Sequence, residues 1–274
     1  MGKMHFWTLW AAFVMAISAG LTSCDSEDDN NDVDNNNTSD VQKTLLGITH
    51  SSNVWESSSP FSYSFLYENG KMTSHNTSEY TTTFSYEGNN IIKSQIIVDS
   101  TKTVAVDNTY YLNDDGTVNK RVCITPGQEG ELVEEFVYNS DKQITERIQN
   151  GSVYHYHYGE MGVLSSISYE DREPGEFYTY TNDKVKTPIK NKAHLNFTTL
   201  LDSYSLPDIY GNTYAYLPVS YYTERMMFEL GNFIDDILFD WTIDGDGYPV
   251  AMKQTNKNAV EEYRYDNYDF NWKK

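Results

Sequence analysis

The sequence predicts an all-β fold: a large antiparallel β-meander of repeated hairpins, in which the sheet curls strongly or closes like a barrel. The first observation is composition, because the 274 residues include 23 Tyr, 12 Phe and 5 Trp, and aromatic side chains favour strands. The second is a repeat in which two large residues, two positions apart, precede a turn rich in Asn, Asp and Gly. The third is spacing, because most copies follow one another too closely to leave room for a crossover helix.

The repeat predicts one β-hairpin at each copy. Residues two apart on a strand share a face, and Asn-Gly or Asp-Gly turns supply the positive φ that tight hairpins need. The copies are spaced too irregularly for a propeller or solenoid, so we expect a meander of roughly a dozen or more strands that curls or closes to hide its edges. The copies are FLYENGKM from Phe65, FSYEGNNII from Phe84, YYLNDDGTV from Tyr110, FVYNSDKQI from Phe136, YHYGEMGVL from Tyr156, YTYTNDKV from Tyr178 and WTIDGDGYPV from Trp241.

Residues 1–23 have the layout of a lipoprotein signal peptide. Lys3 supplies the positive end, and residues 6–21 form an uncharged, mostly apolar stretch. The LTSC sequence at 21–24 resembles the lipobox of bacterial lipoproteins, in which the cysteine thiol receives a diacylglyceryl group. We therefore expect lipidation of Cys24, which would become the first residue of the mature chain. The alternatives are an ordinary signal peptide, or an anchor helix with an incidental cysteine.

Residues 24–43 are predicted to be an acidic, disordered tether before a single hairpin-repeat domain over 44–274. The segment DSEDDNNDVDNNNTSD at 25–40 holds seven acidic residues and no basic ones, so it cannot bury enough apolar surface to offset its ordering entropy. Its start, SEDD at 26–29, resembles the acidic signal that sends some Bacteroidota lipoproteins to the cell surface. The alternative is a spacer that is polar only for solubility.

The charge of the chain limits its partners. Twenty basic and 40 acidic residues give a net charge of −20 at pH 7. A surface of that sign is repelled by phosphate backbones and by anionic lipid. We therefore expect no nucleic-acid partner, and we expect the N-terminal lipid, not a basic patch, to hold the protein at a membrane.

The hairpin pattern pauses between residues 187 and 229, where a short helical insertion is predicted near 193–206. Pro207 would keep this helix from continuing, and the helix could plug an end of the curled sheet. Its apolar residues follow the i, i+3, i+4, i+7 spacing of one helix face: Phe197, Leu200, Leu201 and Tyr204.

These features together resemble a family of Bacteroidota lipoproteins of unknown function that have a porin-like fold. The likeness covers most of residues 44–270 and rests on the lipobox, the acidic tether, the hairpins, the insertion before Leu217-Pro218, and DGDGYPVAMK from Asp244. The resemblance implies a fold and a location in the cell envelope, and it implies no catalytic residues. A membrane pore is not expected, because candidate strands such as NKRVCITPG and ELVEEFVY are short or carry charges that are costly in lipid.

A search for catalytic chemistry predicts no enzyme, no cofactor and no metal site. The sequence lacks the GxSxG, GxxxxGK[ST], GxGxxG and HExxH motifs. His155 and His157 would share a strand face, as two metal ligands do, but zinc needs further ligands, so a surface pair is the favoured interpretation. Glu134 and Glu135 should face opposite sides of a strand, so they form no ready acid/base pair, and we expect both to be solvated.

Tyrosine is the one feature that suggests a ligand site. Four tyrosines cluster in a predicted loop-like insertion beside Pro218, and exposed rings can stack on sugar faces while their hydroxyls form hydrogen bonds. The alternative is that these rings simply coat β-strands. The cluster consists of Tyr214 and the three predicted ligand-binding residues Tyr216, Tyr221 and Tyr222.

The sequence therefore predicts a cell-envelope protein, an outer-membrane lipoprotein exposed at the cell surface, without a specific activity that can be read from its residues. The favoured function is a surface-anchored binding or scaffold protein, whose partner is a glycan or another envelope protein. The alternatives are an envelope structural or assembly protein, and a hydrolase whose site is not recognised.

Overall fold

Strands form almost all of the regular structure in the part of the chain that can be described. The computed structural model describes residues 42–52, 61–170, 172–192, 195, 207–227, 231–257 and 264–274. The strands are β1 Thr44–Ser52, β2 Phe61–Glu68, β3 Lys71–Asn76, β4 Tyr80–Glu87, β5 Ile91–Val98, β6 Thr103–Leu112, β7 Val118–Ile124, β8 Leu132–Tyr138, β9 Ile144–Gln149, β10 Ser152–Tyr158, β11 Leu164–Tyr169, β12 Glu176–Thr179, β13 Ile189–Lys190, β14 Tyr216–Leu217, β15 Ser220–Met227, β16 Gly231–Ile243, β17 Pro249–Asn256 and β18 Arg264–Lys273.

Sixteen of these strands form one closed antiparallel barrel. Each barrel strand pairs with its neighbour in sequence except at two places, where β12 pairs with β15 and where β1 pairs with β18 to close the sheet. The remaining strands, β13 and β14, pair with each other between β12 and β15. The predicted all-β meander is therefore confirmed, and closure satisfies the edges that an open sheet would leave unpaired.

Six of the seven predicted hairpins connect adjacent barrel strands. Between β2 and β3, Asn69 and Gly70 have φ angles of 52° and 76°, the positive values that a tight hairpin turn requires. The prediction for YTYTNDKV from Tyr178 is wrong, because β12 ends at Thr179 and no barrel strand follows the turn directly. There the Asn182 side chain accepts hydrogen bonds from two following backbone N–H groups, which forms a turn of a different kind.

The paired large residues of the repeat fill the inside of the barrel. The first member of the pair is buried in six copies, and the second packs against the same core, as expected for residues that share one strand face. The buried first members are Phe65, Phe84, Tyr110, Phe136, Tyr156 and Tyr178.

Among the described residues, two short 3-10 helices span Glu160–Gly162 and Pro207–Tyr210. No helix among the described residues has the length and apolar character needed to cross a membrane. The predicted helix near 193–206 lies outside the described residues, apart from Leu195, which is buried.

The segment 207–217 packs against the barrel wall. The hydroxyl of Thr213 accepts a 2.8 Å hydrogen bond from the backbone N–H of Ile144 at the start of β9. The ring of Tyr210 meets the buried ring of Phe136 edge-on, with a centroid separation of 5.7 Å. This segment is part of the long connection from β12 to β15, which we call the β12–β15 excursion, and it contacts the buried Phe136 ring of β8 and the backbone of β9.

The barrel interior also contains a charged cluster. Glu134 is 5% exposed and accepts a 2.9 Å hydrogen bond from Arg121, while a second guanidinium, that of Arg147, lies 3.7 Å from its other oxygen. The expectation that Glu134 is solvated is therefore wrong. Its neighbour Glu135 is exposed, as expected.

Candidate functional site

A row of five side chains crosses the outside of the barrel. The residues are directly opposite one another on the consecutive strands β10, β11, β12, β15 and β16. Because residues in register share a face of the sheet, all five side chains lie on one side, and the exposed rings in the row identify that side as the outer one. The row consists of His157, Ser166, Phe177, Tyr222 and Asp236.

Two aromatic rings form the centre of this row. Phe177 and Tyr222 are cross-strand partners and are 46% and 39% exposed. Their chain neighbours Tyr178 and Tyr221 point into the barrel and pack together, with ring centroids 5.2 Å apart. Burial raises the pKa of Tyr178 well above its usual value, so this ring stays neutral. Because strand residues alternate, burial of the inner pair holds the outer pair at the surface.

A cavity of about 590 Å³ lies over strands β9 to β11, and His157 at the end of the row is part of its lining. The connection between β11 and β12 contributes part of its lining, and backbone hydrogen bonds hold that connection at Arg172 and Gly175. Its polar lining includes Glu146, His155, His157, Ser168, Arg172 and Glu173. We use "outer-wall site" for the row and this cavity together.

The polar groups of the cavity are arranged in two contacts. Nε2 of His157 and Oγ of Ser168 are 2.8 Å apart and share a hydrogen bond. Nδ1 of His155 lies 3.7 Å from a carboxylate oxygen of Glu146. The guanidinium of Arg172 lies 5.3 Å from the Tyr169 ring centre. The cavity therefore offers hydrogen-bond donors and acceptors, together with acidic and basic side chains.

The two histidines lie together on the outer face, as the strand pattern indicates. The residues described here contain no group of three or more side chains suited to hold a metal ion. The His157–Ser168 contact has the form of a base and a nucleophile, but Ser168 is only 5% exposed, and no described carboxylate pairs with His157 to orient it. The arrangement favours hydrogen bonding to a ligand over nucleophilic attack.

The predicted tyrosines occupy three different environments. Tyr216 lies in β14 and packs against the core, Tyr221 faces the barrel interior, and Tyr222 is exposed on the outer wall. Tyr214 is buried. Tyr221 and Tyr222 belong to strand β15, not to a loop. The structure thus places only Tyr222 of the three in the exposed outer-wall row, and ligand binding by any of them stays a prediction.

Sequence reasoning missed the role of Phe177 and the grouping of Ser168 with His157. A signal for Phe177 existed, because it precedes an inward-facing tyrosine of the repeat and must therefore face outward. Its partnership with Tyr222 joins residues on either side of the β12–β15 excursion, and no local pattern encodes that pairing. Cys24, the predicted lipidation site, lies outside the described residues and stays a prediction.

The described strands form a closed, sixteen-stranded antiparallel barrel whose interior is filled by side chains, and the outer-wall site lies on its outer face. The chain is similar in fold to a porin-like protein from Bacteroides uniformis ATCC 8492, at 16% identity and a TM-score of 0.57, covering 84% of this chain and 96% of that chain. A porin-like protein from Bacteroides vulgatus ATCC 8482 gives 14% identity and a TM-score of 0.50, covering 84% and 98%. No family model and no curated protein matches the chain. At these identities the likeness shows the fold.

Proposed function

We propose that this protein is an envelope lipoprotein that binds an oligosaccharide at its outer-wall site. The observation that carries the proposal is the exposed Phe177–Tyr222 pair, in a row whose end residue His157 also lines a polar cavity. Aromatic rings present an apolar face on which a sugar ring can stack, and the hydroxyl of Tyr222 adds a hydrogen-bonding group. His157 and Arg172 supply further polar contacts at the cavity.

The dimensions of the site suit an extended ligand. A cavity of about 590 Å³ lies within the range of about 300 to 1,000 Å³ that is usual for small-molecule sites. The row crosses five strands, and at roughly 4.8 Å between strands it spans about 19 Å. That length favours an oligosaccharide over a single sugar.

The chemistry of the barrel wall supports attachment through a lipid on Cys24 to an outer membrane, with the barrel in water. A barrel that crosses a bilayer carries an outward apolar band about 25 Å tall, and a charge near its middle costs about 2 to 4 kcal/mol. Here many outward strand positions are polar or charged. Examples taken from the strand registers are Thr83, Ser85, Lys93, Gln95, Asp107, Glu135, Glu146 and Asp240.

The attachment is tested by replacing Cys24 with Ala. The variant should leave the membrane fraction and should lose labelling by a clickable fatty acid. Labelling that continues unchanged would show that the fatty acid is attached at a residue other than Cys24.

The binding function is tested by screening the purified protein on a glycan array, followed by the double variant Phe177→Ala and Tyr222→Ala. We expect a subset of glycans to bind and the double variant to lose that binding without a change in melting temperature, because both rings are exposed. Tyr111 is also an outward tyrosine with 39% exposure, so Tyr111→Ala is the matched control. If no glycan binds and the protein selectively captures an envelope protein, the scaffold or assembly role is favoured instead.

A further inference from the structure

A second cavity, of about 410 Å³, lies beside the turns that join β6 to β7 and β8 to β9. Three lysines contribute to its lining, and one acidic residue does: Lys142, Lys190, Lys192 and Asp115. We call it the lysine cavity. It shares no lining residue with the cavity of the outer-wall site.

The lysine cavity is held open by a fixed backbone. Asn212 donates two hydrogen bonds of 2.8 Å to the β8–β9 turn, from its backbone N–H to the carbonyl of Lys142 and from its side chain to the carbonyl of Asp141. Gly211 has a φ of 59°, and a Cβ at this position would overlap the Lys142 carbonyl oxygen. The buried Asn191 side chain donates a 2.8 Å bond to the Tyr214 carbonyl and so joins the other wall.

The charges around the lysine cavity do not cancel. Three lysines and one aspartate give the lining a net charge of +2 in a chain whose net charge is −20. Hydrogen bonds from the Thr117 side chain and backbone lower the pKa of Asp115, which stays ionised and lies 3.4 Å from the Lys142 ammonium. Lys192 donates to the Asp246 carbonyl, and Lys190 is exposed and forms no ion pair with any described residue.

We propose that the lysine cavity binds a phosphate or sulfate group. Lysine ammonium groups act as compact point charges for such anions, and three lysine residues line this cavity. The cavity is large enough to admit the group as an ester of a small molecule as well as a free ion. Because residues from different strands and turns line this cavity and the outer-wall site, oxyanion binding and oligosaccharide binding can be tested independently of each other.

The test is a calorimetric titration of the purified protein with inorganic phosphate and with sulfate, each against chloride at equal ionic strength. We expect saturable binding of at least one oxyanion and none of chloride. The double variant Lys142→Gln and Lys190→Gln should weaken that binding at least tenfold. Lys120→Gln, which removes a lysine from the outer wall, should leave it unchanged.

Two further probes distinguish the sources of the anion. Glucose 6-phosphate compared with glucose tests a phosphorylated sugar, and phosphatidylcholine vesicles with and without phosphatidylglycerol test a lipid headgroup. If the double variant weakens the binding of one of these probes, that result supports the oxyanion site and identifies the source of the anion. The proposal is overturned if no probe binds above its uncharged or chloride control, or if the double variant binds as the unchanged protein does.

Discussion

Glu134 and Glu135 are consecutive residues of β8 that lie on opposite sides of the barrel wall. The Glu134 carboxylate contacts Arg121 and Arg147 inside the barrel, and Arg121 also donates two hydrogen bonds, of 3.1 and 3.0 Å, to the Asn108 side chain. Glu135 is exposed on the outside. The interior of this barrel therefore includes ion pairs as well as aromatic packing.

Replacing Glu134 with Gln should destabilise the protein, whereas Glu135→Gln should not. Removing one partner of a buried ion pair leaves the other charge uncompensated, at a cost of about 3 kcal/mol, and here two guanidinium groups would be left. A substitution at an exposed site usually changes stability by less than about 0.5 kcal/mol. Urea unfolding of both variants measures the difference. Equal midpoints would show that Glu134 contributes little to the folded state.

The close approach of Gly211 to the β8–β9 turn should make Gly211→Ala more costly than Gly116→Ala. Both glycines have positive φ, of 59° and 85°, so alanine is strained by about 1 to 2 kcal/mol at either position. Only at Gly211 would the new methyl group also overlap a neighbour, the Lys142 carbonyl, which adds about 1 to 3 kcal/mol. Thermal unfolding of the two variants side by side checks this. A larger loss at Gly116 would contradict the observed packing of residues 207–217.

Stability should fall between pH 6.5 and pH 4 because His75 is buried. Burial lowers the pKa of His75 to about 4, whereas in the unfolded chain it stays near 6.5. In this window the unfolded state takes up a proton that the folded state does not, so the contribution is present above pH 6.5 and is lost as the pH falls.

The loss attributable to His75 is about 2 kcal/mol at pH 5. His75→Phe keeps a ring beside Phe65, whose centroid lies 5.4 Å from that of His75, and should unfold with a smaller difference between pH 7 and pH 5. Denaturant titrations of both proteins at the two pH values measure this difference. An unchanged difference would assign the pH dependence to other groups.

The meander could be predicted from sequence because its signals are local. The Asn69-Gly70 turn and the large residues on either side of it lie within one short segment, so each such segment carries the turn and strand signals of its own hairpin. The Tyr178 copy shows where the local signal fails. Its Asn182 turn uses the same residue types, but it leads the chain out of the barrel.

The candidate site could be predicted only in part, because it depends on non-local pairing. Tyr222 was identified for its type and its surroundings, but its neighbour Phe177 lies 45 positions earlier in the chain, beyond any periodic pattern. Strand alternation correctly separated Glu134 from Glu135. It could not show which of the two faces inward, because the inward carboxylate is paired with Arg121 and Arg147, which come from the two neighbouring strands.

The most direct test of the binding role compares Tyr222→Ala with Tyr111→Ala in a calorimetric titration with a glycan retained on the array. Both tyrosines are 39% exposed on outward strand positions, but only Tyr222 lies in register with Phe177 in the outer-wall site. Loss of a stacked ring costs about 0.5 to 1.5 kcal/mol, so we predict that Tyr222→Ala raises the dissociation constant about three- to tenfold while Tyr111→Ala leaves it unchanged. Equal affinities for the two variants would contradict the proposed site.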